Sequence, residues 1–151
     1  MINFNNEDTI VAIATPPGKS AIGIIRLSGS KAIDIVNPIF PSKDLTLVES
    51  HSLHIGTIRT QKGAILDEVC LSVFRTPRSY TGENLVEISC HGSMFILNNL
   101  LELLIDRGAR PAEPGEFSFR AFMNHKLDLS QLEAVADVID AENKSAHRIA
   151  I

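Results

Sequence analysis

Apolar residues follow two rhythms along this chain, and the change between them falls near residue 93. Before it, short β-branched runs are cut by turn-forming residues. Thr9 to Thr15 is one such run, stopped by Pro16-Pro17-Gly18, and Ala21 to Ser28 is a second, stopped by Gly29. Ser30 is placed to cap a short helix bearing Ala32, Ile33, Ile35 and Val36, which must end before Pro38 because the residue ahead of a proline is pushed out of the α region. Ser52 to Thr60 and Leu66 to Thr76 flank Gln61-Lys62-Gly63-Ala64, the pattern of a hairpin in which Gly63 supplies the positive φ of the turn. Leu85 to Cys90 makes a fifth strand.

After residue 93 the period becomes 3.6. Met94, Leu97, Leu101 and Leu104 form one stripe and Ile96, Leu100 and Leu103 widen it, so this helix lies against the sheet and ends at Gly108. Pro114-Gly115-Glu116-Phe117 opens a shorter helix. Ser130-Gln131-Leu132-Glu133 then reads as a capping box ahead of Leu132, Val135, Ala136 and Ile139. That last helix still presents Ala146, Ile149, Ala150 and Ile151 at the final residue, the pattern expected of the front end of a longer protein whose helical part continues. The fold class expected is α/β, a two-layer sheet-and-helix domain over residues 1–120, followed over 121–151 by the start of an all-helical domain.

Composition narrows the function. The chain has 151 residues, of which 44% are hydrophobic, enough to bury a core without staples or metal. Its net charge is -4, and neither half carries an excess of Lys and Arg, which disfavours autonomous nucleic-acid binding because such affinity comes largely from counterion release. No apolar run approaches the about 20 residues of a membrane helix, and the first residues lack a signal-peptide pattern, so a cytoplasmic protein with no membrane association is expected. Cys70 and Cys90 sit in apolar, β-prone runs without CxxC spacing, and both are read as buried thiols.

Several motifs invite chemistry that their surroundings refuse. Gly18-Lys19-Ser20 ends like a phosphate-binding loop, but the position that should hold the earlier glycine is Ile13, and Pro16 and Pro17 remove amide donors. His51 and His54 on a strand point to opposite faces, so a zinc pair is not expected. Cys90-His91 on a strand end diverge and make neither a nucleophile with its base nor half a metal site. No catalytic residue and no metal site is expected within this chain.

Three charges resist that treatment. Arg26 interrupts the most apolar strand, Glu87 centres Leu85-Val86-Glu87-Ile88, and Lys126 lies between two helical segments. An unpaired interior charge costs several kcal/mol. Arg26 therefore needs a partner, and two readings stay open: a structural ion pair with Glu87, or a polar pocket in which the carboxylate accepts paired donors of a heterocycle.

Asp8 to Gly18, Gly23 to Gly29, Ser79-Tyr80-Thr81-Gly82-Glu83, Cys90-His91-Gly92, Ala112 to Phe117, Arg120 to Leu129 and Glu133 to Ala141 resemble, in order and spacing, the N-terminal region of the tRNA modification GTPase MnmE (TrmE) family. Lys19-Ser20 and Ser93 are small departures in loops. The resemblance implies an α/β domain that homodimerises and binds 5-formyltetrahydrofolate, followed by a helical domain into which a GTPase domain is inserted. It implies action with MnmG on the wobble uridine of tRNA, and at family level GTP, Mg and K held by that GTPase domain. By motif position the folate contacts fall on Arg26, Glu87 and Lys126, with Tyr80 packing against the ring. A large departure is that no GxxxxGK[ST] occurs here, so GTP hydrolysis and the modification chemistry lie outside these residues and tRNA is bound by the complex rather than by this chain alone. Two alternatives are kept: a stand-alone interaction scaffold, which a direct Arg26–Glu87 bridge without a cavity would favour, and a folate-dependent one-carbon transferase using Cys90 or His91.

Overall fold

A computed structural model describes residues 6–137. Six strands form one sheet, β1 (Ile10–Ile13), β2 (Ile22–Ser28), β3 (Ser52–Arg59), β4 (Ile65–Phe74), β5 (Leu85–His91) and β6 (Arg110–Pro111), in the order β3-β4-β5-β2-β1-β6. All pairs are antiparallel except β1 with β6 at one edge. The helices are α1 (Ala32–Val36), α2 (Met94–Asp106) and α3 (Glu116–Met123), with two 3-10 turns after α1 and a further helical segment over 129–137. None of the described helices is long and apolar enough to cross a membrane. The α/β class expected from the hydrophobic rhythm is the class observed.

The core lies between the sheet and α1 and α2. Ile25 and Leu27 of β2, Leu71 and Val73 of β4, and Val86 and Ile88 of β5 face Val36, Leu97, Leu100 and Leu104, all almost fully buried. Each such aliphatic side chain contributes about 1.5–3 kcal/mol when taken from water. With one face so used, the period of two sends the remaining strand positions to the other face, and there Ile22, Leu53 and Ile55 are exposed. Arg26 and Glu87 share that second face.

Both expected left-handed glycines are found, Gly63 at φ 82° in the β3–β4 hairpin and Gly108 at φ 115° after α2. Other local expectations are corrected. Ser30 does not cap α1, whose preceding residue is Lys31. The Lys31 amide donates instead to Thr9 Oγ1 at 3.1 Å, so a side chain from just before β1 ties the helix start. The capping box begins at Asp128, not at Ser130: Gln131 N donates to Asp128 Oδ1 at 2.8 Å and Asp128 N to Gln131 Oε1 at 2.9 Å, the reciprocal pattern of such a box. His51 stands outside the strand at φ 63°, edge-on to the Phe74 ring. Cys90 is buried as expected, whereas Cys70 is half-buried on the second face. Ile139 and the apolar residues 146–151 lie outside the described residues.

Candidate functional site: a charge pair framed by aromatic rings

Arg26 and Glu87 are directly opposed in the β2–β5 ladder. The guanidinium donates from Nε and Nη2, at 3.2 and 3.1 Å, to one oxygen, Oε1. Oε2 accepts no hydrogen bond among the described residues. The pair is a direct bridge, and both side chains keep more than a quarter of their surface in solvent, 28% and 30%.

Two aromatic rings flank the cation. The Arg26 Cζ lies 5.5 Å from the centroid of Tyr80 and 5.5 Å from that of Phe117, both within cation–π range. Tyr80 comes from the loop between β4 and β5, Phe117 from the first turn of α3, and the two elements are laced together. Tyr80 Oη and Ser118 Oγ are 2.9 Å apart, Asn124 Nδ2 donates to the Thr81 carbonyl at 2.9 Å, and Thr81 Oγ1 meets Ser28 Oγ at 2.6 Å. Gly82, at φ 81°, lets the loop approach that close, since a Cβ there would sit 2.8 Å from Asn124 Cβ.

Lys126 is exposed beyond the end of α3, its amide bonded to the Ala121 carbonyl at 2.8 Å. Its stem runs beside the same loop, with Cγ 3.4 Å from where a Gly82 Cβ would stand. Its ammonium makes no ion pair with Glu87; it borders a cleft of about 750 Å³ lined also by Phe122, Met123, Leu127, Leu129 and Gln131. The structure therefore brings Arg26, Glu87 and Tyr80 together and leaves Lys126 on the adjoining loop.

The motif residues that sequence reasoning left without a role build a buried ionic network under this site. Arg120 is 1% exposed and Glu116 fully buried. Arg120 Nη1 donates to both carboxylate oxygens of Glu83 at 3.1 and 3.2 Å, and its Nη2 lies 3.6 Å from Glu116 Oε2. Arg110 donates to Glu116, at 3.0 and 2.7 Å, and to Asp8 at 2.8 Å. Burial by itself would raise the Glu116 carboxyl. The Arg110 bonds, the Glu113 amide and the two guanidinium charges outweigh that and hold it below the usual glutamate value. The available signal was Arg120 as the one charge in a largely apolar helical stretch, Phe117 to Met123.

The remaining candidates have local partners of their own. Burial, reinforced by the nearby Asp67 charge, pushes the Cys90 thiol up to about 11, too high to supply thiolate. The His91 ring turns to Asp67, Nδ1 to Oδ1 2.8 Å, and is not paired with the Cys90 thiol, which meets the Gly23 carbonyl at 3.5 Å. His54 bonds Ser52 at 2.8 Å, and no group of three His, Cys, Asp or Glu among the described residues could hold a metal.

Comparison with known proteins agrees with the motifs. Residues 9–126 match the family model described as the GTP-binding protein TrmE N-terminus. Proteins named tRNA modification GTPase MnmE from Cytophaga hutchinsonii and Flavobacterium johnsoniae are each 53% identical over 97% of this chain, and one from Enterococcus faecalis is 51% identical over 95%. The chain spans about a third of the length of each of these relatives, 32%. Over that third, from the β1 run through the loop carrying Tyr80 to Lys126, the chain belongs to the family of the TrmE N-terminus.

Proposed function

We propose that this chain is the folate-binding, homodimerising module of a GTPase that modifies tRNA, with residues 1–120 as the binding domain and 121–151 as the start of a helical domain. The GTP, Mg and K of the reaction would be held outside these residues, and MnmG would join at the level of the whole cytoplasmic complex. The observation that carries the reading is the half-exposed Arg26–Glu87 pair between Tyr80 and Phe117, with Glu87 Oε2 open. A pterin presents an amino group and a ring N–H side by side, which a carboxylate accepts in parallel, and its flat ring suits the aromatic frame. Arg26 would turn to the carbonyl and glutamate oxygens of the ligand, and Lys126, on the adjoining loop, would meet the glutamate tail.

The second face of the sheet supports the dimer. Ile22, Leu53 and Ile55 are 58%, 64% and 71% exposed on the face that carries the charge pair. A second copy of the chain covers such a surface economically, since a two-fold interface uses one patch twice. The direct bridge also favours a second reading, a scaffold with no ligand in which Arg26–Glu87 is structural. Calorimetric titration with 5-formyltetrahydrofolate separates them. Binding by the chain and its loss in Glu87→Gln are expected; no heat with properly folded dimer leaves the scaffold.

A further inference from the structure

We propose that Arg120 is a positioning residue that sets the spacing of Tyr80 and Phe117 about Arg26 by clamping, through Glu83 and Glu116, the three backbone segments that carry them. It deepens the folate reading of that site and rests on it for its ligand.

The geometry is local on each side. Arg120 Nη1 reaches the Ser28 carbonyl at 3.4 Å as well as the Glu83 carboxylate, and Nη2 faces Glu116. Ser28 is two residues after Arg26 on β2, Glu83 three after Tyr80 in its loop, and Glu116 next to Phe117 at the start of α3. Arg26, Tyr80 and Phe117 are thus each within three positions of a group that meets this one guanidinium. Ser28 Oγ, donating to Glu83 Oε1 at 2.9 Å, closes the arrangement.

Stability alone is a poor reason for it. Buried ion pairs are often matched or bettered by apolar residues of similar volume, because desolvation consumes the Coulombic gain. What a buried pair supplies is a fixed direction. A planar fork whose terminal nitrogens point at two carboxylates on two elements fixes both at once, and a lysine ammonium in its place would keep the charge and lose the fork.

The test uses the fact that the chain has one tyrosine and no tryptophan, so tyrosine emission reports Tyr80 alone. Glu83→Gln, nearly isosteric, and Arg120→Lys are compared with the unaltered chain at a temperature where urea curves show each to be folded. Greater acrylamide quenching of Tyr80 emission and an affinity for 5-formyltetrahydrofolate lower by about tenfold are expected in both variants. If Arg120→Lys does not fold, Glu83→Gln decides. Unchanged quenching and unchanged affinity in a less stable but folded variant would overturn the positioning role and leave a structural one. A chain that binds no folate sinks the ligand reading, whereas the quenching comparison still decides whether Arg120 holds Tyr80.

Discussion

Arg26 and Glu87 face each other across adjacent strands, and both hydrogen bonds of the guanidinium end on a single carboxylate oxygen. A structural tie would be expected to engage both oxygens and to lie dry. A pair this exposed couples by about 0–1 kcal/mol, because water screens it and two long side chains lose freedom to hold it. A double-mutant cycle of Arg26→Met and Glu87→Gln, read from urea midpoints, should give a coupling in that range. A coupling above about 2 kcal/mol would mark the bridge as structural and strengthen the scaffold reading.

Acid should weaken the fold through Glu116. Its carboxyl is held below the ordinary value of 4.5, so the unfolded chain takes up the proton first as pH falls. The stability it contributes is complete above that ordinary value and is lost as pH drops through the folded one. Glu116→Gln leaves Arg120 buried with one carboxylate fewer and should cost about 3 kcal/mol at neutral pH, the low end for a broken buried pair because Arg110 keeps Asp8. Urea midpoints of the two proteins should stay apart at neutral pH and converge as pH falls below that ordinary value. A constant gap would show that Glu116 is not the titrating group.

Cys90 should be the slower thiol. It is buried between sheet and helices, donates weakly to the Gly23 carbonyl at 3.5 Å and has its pKa pushed up to about 11. At neutral pH roughly one molecule in ten thousand carries that thiolate, so alkylation requires both opening and deprotonation. Mass spectrometry after iodoacetamide treatment should find Cys90 unmodified in the native protein and modified in urea. Rapid native modification would favour the transferase reading.

What could be read without coordinates was what is written in short-range pattern. β2, β5 and α2 carry clean periods, and Arg26 and Glu87 stood out as charges interrupting them. The caps were misread because each candidate had a competitor of equal chemistry nearby: Thr9 took the place of Ser30, and Asp128 with Gln131 that of Ser130 with Glu133. β6, two residues ending in proline, has no periodic signal at all. The ionic network was hidden for a different reason. Arg120 joins Glu83, 37 positions away, and Ser28, 92 away, and such pairings are set by how the layers stack rather than by spacing. Lys126 was legible as an isolated charge, but its place on the loop beside Gly82 depends on that same stacking.

The exposed second face yields a test of self-association that also reads Cys70. In the strand register Ile55 is opposite Cys70 and Cys70 opposite Ser89, so the thiol lies in the row that ends at Ile24. A second copy seated on Ile22, Leu53 and Ile55 would cover that row. Ile55→Glu places a charge in the middle of the contact, where an unpaired buried charge costs several kcal/mol, while in a lone copy the side chain points into water at little cost. Light scattering should show a dimer for the unaltered chain and a monomer for Ile55→Glu at similar urea stability. Cys70 should alkylate slowly in the dimer, faster on dilution, and fastest in the variant, with Cys90 unchanged throughout. Equal Cys70 rates in both proteins, with both monomeric, would show that this face carries no second copy.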